Sequence, residues 1–232
     1  MSIVEKLSTF LENSLTAYHA KDNVKAKLLE NGFTPLSQTQ DWELCEGGKY
    51  FIERAASLIA FTVGQLDHFV YKIVAAHVDS PALKLKANPE RKTESAVTLN
   101  TERYGGGIWY SFFDRPLKIA GQIVVKNEGK LIAKTVEAPF LVTIPSQALH
   151  VNRDANEHFA VNLQTDMQPL YTLDKTDTPF IQAAFPEEEV LAYDLFAVNA
   201  EKVYVFGKDG EFFASPRIDN LTSVSAALES LL

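Results

Sequence analysis

A run of apolar residues that ends at a histidine constrains the fold of this chain most strongly. The segment HFVYKIVAAHVDS, residues 68–80, is apolar at nearly every position before His77, which predicts a strand covered on both faces. Asp79 follows two positions later, so its side chain points to the same side of an extended chain as that of His77. The pattern favours an α/β fold with His77 at the carboxyl end of a strand, where open α/β sheets bind their ligands.

The residues before this strand predict two helices and a further strand. Apolar residues recur at helical spacing from Val4 to Leu15, which predicts a helix over residues 3–19. Asp22 is suited to cap a second helix over about residues 23–30. Residues 49–64 are rich in strand-forming residues and predict a strand next to the apolar run.

The middle of the chain differs from the residues before it, because its sequence predicts short strands and turns. We expect hairpins that turn at residues 127–129 and 209–210, and a short helix within residues 185–193. A final helix begins near Asp219, and its apolar face carries Leu221, Val224, Leu228 and Leu231. The predicted organisation is an α/β domain in two parts, residues 1–89 and 214–232, interrupted by a β-rich insert over residues 90–213.

Composition excludes several classes of protein. The formal net charge of −8 leaves no basic excess for binding a nucleic-acid backbone. The single cysteine, Cys45, rules out an internal disulfide framework and a metal site built from thiolates. The N-terminus is too polar for a signal peptide, and no apolar run reaches transmembrane length. We therefore expect a cytoplasmic protein with no membrane or nucleic-acid partner.

Each candidate functional residue also has a purely structural explanation. His77 and Asp79 are also explained as a buried histidine hydrogen-bonded to its neighbours. Asp219, at the entrance to the last helix, is also explained as its N-cap. His150 lies with Arg153 in a polar loop, where hydrogen bonding within the loop is the alternative. Residue type and spacing alone leave both explanations open.

Four motifs occur in the order found in a known family. They are His-x-Asp-Ser-Pro-x-Leu-Lys-x-Lys at 77–86, Tyr-Gly-Gly through Phe-Asp-Arg to Leu-x-x-Ala-Gly at 104–121, Ile-Pro followed by Ala-x-His-x-Asn-Arg-x-x-Asn-Glu at 144–157, and Ser-Pro-Arg-x-Asp-Asn-Leu at 215–221. On these motifs the chain resembles the aspartyl aminopeptidase (aminopeptidase I-like) family of zinc metallopeptidases. The resemblance implies a zinc-peptidase-type catalytic domain, with a mixed sheet flanked by helices, interrupted by a β-rich dimerisation domain.

The resemblance also implies a role for each candidate residue. His77 matches a ligand of one of two zinc ions, and Asp219 matches the carboxylate that bridges both. Asp79 matches the carboxylate that orients the metal-binding histidine. His150 matches a histidine of the inserted domain that reaches the active site of the neighbouring subunit. The implied activity is removal of N-terminal residues, acidic ones among the candidates, from peptides by a homo-oligomer joined through the insert.

The family pattern is incomplete in this chain. The family carries a Glu-Glu pair, a further aspartate and a late histidine after this point, but the sequence stops about thirteen residues after Asp219. Two ligands cannot hold a dinuclear centre, because even a catalytic zinc ion usually has three protein ligands. We therefore expect a C-terminally truncated aminopeptidase that is inactive on its own. The alternative is a non-catalytic dimerisation or regulatory partner, or a pseudoenzyme.

Overall fold

The computed structural model describes residues 2–65, 67, 70–173 and 178–232. The helices in chain order are α1 (Ile3–Asn13), α2 (Ala17–Glu30), α3 (Phe180–Ala184) and α4 (Ile218–Leu231), with a 3-10 turn at Trp109–Phe112. The strands are β1 (Thr34–Pro35), β2 (Lys49–Arg54), β3 (Ser57–Thr62), β4 (Ala82–Lys92), β5 (Val97–Tyr104), β6 (Leu117–Asn127), β7 (Lys130–Val142), β8 (Leu170–Thr172), β9 (Val190–Asn199), β10 (Tyr204–Phe206) and β11 (Phe212–Ala214). The fold is mixed α/β, as the sequence predicts.

The chain forms two compact units. The first unit comprises Met1–Ser80 with Val203–Leu232, and the second comprises Pro81–Lys202. The sequence places the borders later, at 89/90 and 213/214. The borders differ because β4 (Ala82–Lys92), although its pairing is irregular between Leu85 and Glu90, belongs to the sheet of the second unit, and because Val203 and Phe213 pack against the core of the first unit.

The first unit has a small sheet and three helices around one core. The sheet order is β1-β2-β3, with β1 parallel to β2 and β2 antiparallel to β3. Helix α1 begins at a capping box, in which Ser2 and Glu5 each accept a hydrogen bond from the other's backbone N–H. The core contains Leu11, Ala20, Val24, Leu28, Phe33, Phe51, Leu221, Val224 and Leu228. The predicted apolar face of the last helix is therefore the face that α4 buries.

The second unit is built on an antiparallel six-stranded sheet with the order β7-β6-β9-β4-β5-β8. The pairing of β6 with β9 requires a glycine, because a Cβ on Gly121 would lie 2.1 Å from the carbonyl oxygen of Asp194 on the neighbouring strand. The β6–β7 hairpin turns at Glu128 and Gly129, both with positive φ, as a two-residue hairpin turn requires. The hairpin predicted at residues 127–129 is present, and most elements of the second unit are strands.

Three elements differ from the sequence predictions. The single helix expected over residues 3–19 is two helices, because α1 ends at Asn13 and the buried Ser14 accepts a hydrogen bond from Asn23 of α2. The strand expected over residues 49–64 is a hairpin, β2–β3. The helix expected within residues 185–193 is absent, because β9 begins at Val190 and pairs between β6 and β4.

The apolar run that led the sequence analysis is not a strand in the described residues. Residues 70–80 have no assigned secondary structure, and Ile73 and Val74 are 82% and 72% exposed. The strand prediction is wrong here because a strand needs a hydrogen-bonded neighbour, and among the described residues β3 pairs only with β2. His68 lies outside the described residues.

A groove of about 440 Å³ lies beside this run in the first unit. Alternate residues of two segments line it, namely Leu58, Ala60 and Thr62 of β3 and Lys72, Val74, Ala76 and Val78 of the run, together with residues of α2 and α4 that include Val224, Leu228 and Leu231. Side chains of an extended segment alternate between faces, so each segment presents one face to the groove.

No helix in the described part of the chain is long and apolar enough to cross a membrane.

Candidate metal site

His77 and Asp219 come from distant parts of the sequence and lie side by side in the first unit. The run over residues 70–80 carries His77, and the first turn of α4 carries Asp219. The distance from His77 Nε2 to Asp219 Oδ1 is 3.3 Å. The side chains of His77 and Asp219 are 54% and 91% exposed, so this is an open site and not a buried ion pair. The sequence-predicted pair is brought together.

Asp79 fixes the protonation pattern of the His77 ring. His77 Nδ1 lies 3.0 Å from the main-chain oxygen of Asp79 and 3.3 Å from its Oδ1. A carbonyl oxygen only accepts hydrogen bonds, so Nδ1 must carry the proton and donate it. In the neutral imidazole, Nε2 then keeps its lone pair on the side of Asp219. This is the tautomer that a metal ligand bound through Nε2 requires.

The local backbone argues against the structural explanation of Asp219. The first turn of α4 is irregular, because Asn220 as well as Asp219 has non-helical backbone angles, so the residue that directly precedes the regular helix is Asn220 and not Asp219. Asp219 has non-helical backbone angles inside the helix, φ −86° and ψ 115°. Its main-chain oxygen accepts a hydrogen bond of 3.2 Å from Ser80 Oγ. The carboxylate is thus directed by its backbone toward His77 and not toward the helix N–H groups.

The donor atoms of this pair fit one edge of a zinc site. Zinc bonds of about 2.0–2.2 Å at tetrahedral angles place two ligand atoms about 3.3–3.6 Å apart. The separation of His77 Nε2 and Asp219 Oδ1, 3.3 Å, falls in that range. However, no group of three His, Cys, Asp or Glu side chains able to hold a metal occurs among the described residues. Within the described residues, His77 and Asp219 bring two possible donors together here, and a complete zinc site needs at least one more.

His150 lies in the second unit, on an exposed turn that begins at Ala148. The turn is closed by hydrogen bonds from the N–H groups of Val151 and Asn152 to the Ala148 carbonyl. The neighbouring side chains of Leu149 and Val151 are 56% and 66% exposed. The role that the resemblance implies for His150, across a subunit boundary, stays a prediction.

Sequence reasoning missed Arg217, which lies two residues before Asp219. Burial lowers the pKa of the Arg217 guanidinium to about 10, although the nearby Glu12 raises it. Arg217 Nη2 donates a hydrogen bond to the main-chain oxygen of Leu11. Arg217 was visible in the motif at 215–221, but a buried arginine has no periodicity or spacing signal that would reveal it.

Comparison with known proteins places these observations in a family. Residues 10–232 match the family described as aminopeptidase I zinc metalloprotease (M18). The probable M18 family aminopeptidase 2 of Clostridium acetobutylicum is 38% identical, over 100% of this chain and 57% of the relative. The corresponding protein of Clostridium novyi is 36% identical, with the same coverage. The chain thus spans little more than half the length of these curated relatives.

Comparison with solved structures shows that the fold of this chain is similar to that of known proteins. Ape4, in a structure of the Ape4 and Nbr1 complex, superposes with a TM-score of 0.88 at 30% identity, over 98% of this chain and 49% of that one. The Saccharomyces cerevisiae mApe1 dodecamer superposes with a TM-score of 0.77 at 22% identity, over 99% of this chain and 55% of that one. At the latter identity the likeness concerns the fold alone.

Proposed function

The chain belongs to the aminopeptidase I zinc metalloprotease (M18) family, and from that premise we propose that it supplies two zinc ligands, His77 and Asp219, to an aminopeptidase that removes N-terminal residues from peptides. The observation that carries this proposal is the convergence of His77 Nε2 and Asp219 Oδ1 to 3.3 Å. The chain spans 57% of its relative from C. acetobutylicum, so the activity is proposed for the complete protein.

Each residue of the site has a distinct task in this proposal. His77 would bind the metal through its Nε2 lone pair, and Asp79 holds the ring because its main-chain oxygen accepts a hydrogen bond from Nδ1–H. Asp219 would serve as a carboxylate ligand that the metal ions share. The chemistry that zinc would supply here is Lewis-acid polarisation of a peptide carbonyl and activation of water as a nucleophile at neutral pH. The chemistry also needs a general base and at least one further ligand, and no group of three metal-binding side chains occurs in the part of the chain that the structure describes.

Because the relative from C. acetobutylicum is longer than this chain, the proposal includes a surface against which further sequence of a complete protein would pack. The groove beside residues 70–80 is lined by alternate side chains of two extended segments, and Val74, on one of its walls, is 72% exposed. Contiguous exposed apolar surface of this kind is typical of an interaction surface. We propose that a further part of the complete protein covers it and supports the segment that carries His77.

Homo-oligomerisation through the second unit is a further part of the proposal. Leu131 and Leu141 of the edge strand β7 are 70% and 54% exposed, and an exposed apolar edge strand favours pairing with another chain. The turn that carries His150 exposes further apolar side chains. The yeast mApe1 structure is a dodecamer. Preference for acidic N-terminal residues and location in the cytoplasm stay predictions from the sequence and its family resemblance.

Zinc content and peptidase activity of the complete gene product test this function. We expect bound zinc and cleavage of aminoacyl p-nitroanilides, with Asp and Glu compared against Leu substrates. His77→Ala and Asp219→Asn should abolish both. Asp209→Asn, in the turn between β10 and β11, is the matched control and should change neither. A complete protein that binds no zinc and cleaves no substrate would favour the alternative of a non-catalytic partner.

A further inference from the structure

We infer that Arg217 is a positioning residue for Asp219, because its side chain ties the entrance of α4 to the C-terminal end of α1 and so fixes Asp219 beside His77. This inference rests on the proposed function only in treating Asp219 as a ligand. The placement of Asp219 by Arg217 is a separate claim with its own measurement.

The anchor point of Arg217 is the end of a helix. Arg217 Nη2 donates a hydrogen bond of 3.1 Å to the main-chain oxygen of Leu11, in the last turn of α1 (Ile3–Asn13). The last four carbonyl groups of a helix lack partners within it, and a cation is favoured at that end by the helix dipole. Leu11 is fully buried in the core of the first unit, so the anchor is rigid.

A second residue of α1 joins the same arrangement. Glu12 attracts the Arg217 guanidinium, and Glu12 Oε1 accepts a hydrogen bond of 3.0 Å from the N–H of Val203. Val203 begins the segment that leads through β10 and β11 to Arg217. The C-terminal end of α1 therefore holds this segment at its start, at Val203, and at its end, at Arg217.

The backbone at Arg217 indicates that the side chain has a specific purpose. Arg217 adopts the left-handed conformation, with φ 66° and ψ 19°, which glycine adopts at lower cost than any residue with a Cβ. Strained backbone of this kind persists only where the surrounding contacts impose it. The hydrogen bond to Leu11 and the charge of Glu12 are contacts that glycine cannot make.

Asp219 depends on this anchor because its own side chain has little support. The carboxylate is 91% exposed, so packing does not hold it. Its backbone is held on one side by the hydrogen bond from Ser80 Oγ to the Asp219 carbonyl, and on the other by the anchored Arg217 two residues earlier. Without Arg217, the backbone that leads into α4 can shift. The distance of 3.3 Å between His77 Nε2 and Asp219 Oδ1 is then no longer maintained.

Two substitutions and one control separate positioning from general stability. Arg217→Gly keeps the left-handed backbone and removes the anchor, whereas Arg217→Lys keeps a cation that can reach the same carbonyl. Leu28→Ala lowers the stability of the same core from within α2, away from Asp219 and outside the groove lining. All three are made in the complete gene product, and each is measured for thermal midpoint and for zinc affinity by chelator competition.

We expect Arg217→Gly to weaken zinc binding about 10- to 100-fold, the range for residues that orient metal ligands. Arg217→Lys should recover part of that loss. Leu28→Ala should lower the thermal midpoint at least as much as Arg217→Gly and leave zinc affinity within about twofold. The inference is overturned if Arg217→Gly binds zinc like the unmodified protein, or if Leu28→Ala loses as much affinity.

A metal-free measurement distinguishes failure of this inference from failure of the proposed function. In the unmodified protein without metal, Asp219→Asn should shift the imidazole ¹⁵N resonances of His77, because the two side chains are adjacent. In an Arg217→Gly background the same change should have little effect on those resonances. If the unmodified protein binds no zinc but this difference is seen, the proposed function is wrong and the positioning role stands. Equal shifts in both backgrounds overturn the positioning role.

Discussion

Val74→Thr distinguishes a groove that stays open to solvent from one that is covered in the complete protein. Val74 lies on the groove wall and is 72% exposed in this chain. Threonine has nearly the same shape and is also β-branched, so the preference for an extended backbone is little changed. The substitution exchanges one methyl group for a hydroxyl and tests only whether the position is in contact with water.

The expected cost differs between the two forms of the protein. In the 232-residue chain the hydroxyl stays hydrated, so the free energy of unfolding should change by less than about 0.5 kcal/mol. In a complete protein that covers the groove, losing a buried methyl group costs about 0.8 kcal/mol, and burying an unpaired hydroxyl costs about 1–3 kcal/mol. The sum is about 2 kcal/mol or more.

Urea denaturation of both forms, followed by tryptophan fluorescence, measures this difference. Val4→Thr is the matched control, because Val4 is 45% exposed on α1 outside the groove, and its cost should be the same in both forms. A cost for Val74→Thr that is equal in the two forms, within about 0.5 kcal/mol, would show that nothing covers the groove.

Three further predictions concern stability, pH dependence and the second unit. The 232-residue chain should be marginally stable or prone to aggregate, because it exposes Val70, Tyr71, Ile73 and Val74; a cooperative melt of a dilute monomer above about 65 °C would contradict this. Burial raises the pKa of Glu53, but hydrogen bonds from Lys25 and Lys21 outweigh it and leave the pKa below its ordinary value. Ionised Glu53 therefore contributes stability that is complete above its ordinary pKa of about 4.5 and is lost as the pH falls through the lowered value. Glu53→Gln should cost about 1 kcal/mol or less at pH 7, since the carboxylate is one-third exposed, and should flatten the urea stability profile below about pH 5; an unchanged profile refutes the assignment. His150→Ala in the complete enzyme should lower turnover while the oligomer persists by light scattering, and undiminished turnover in an intact oligomer removes the cross-subunit role.

Features with a local cause were predictable from the sequence. The hairpin at residues 127–129 forms where Glu128 and Gly129 adopt positive φ, and turn residues carry that signal themselves. The last helix buries Leu221, Val224 and Leu228, the face that the helical spacing predicts. In both cases the residues from which the element is predicted are the residues that form it.

Features that depend on tertiary pairing were not predictable in the same way. The sequence predicts a short helix within residues 185–193, but β9 begins there at Val190 because β6 and β4 lie on either side of it. The apolar run over residues 70–80 has the composition of a central strand and no strand partner among the described residues. Such a composition is typical of a strand that pairs with neighbouring strands, and the described part of the chain supplies no such neighbour. Composition alone therefore predicted the wrong element.

The candidate site was predictable in part. The nearness of His77 and Asp79 follows from their spacing in an extended chain, and the structure adds the 3.0 Å contact that fixes the tautomer. The approach of Asp219 to His77 could be expected only from the family resemblance, because no periodicity links positions so far apart. Arg217 could not be recognised at all, since its part depends on a carbonyl group of α1 that only the folded chain brings near.

Anomalous diffraction at the zinc edge, from crystals of the complete protein, tests the central claim most directly. The account predicts a zinc peak within about 2.2 Å of both His77 Nε2 and an Asp219 carboxylate oxygen, and loss of that peak in Asp219→Asn crystals. A zinc ion bound elsewhere, with His77 and Asp219 outside its coordination sphere, would contradict the account.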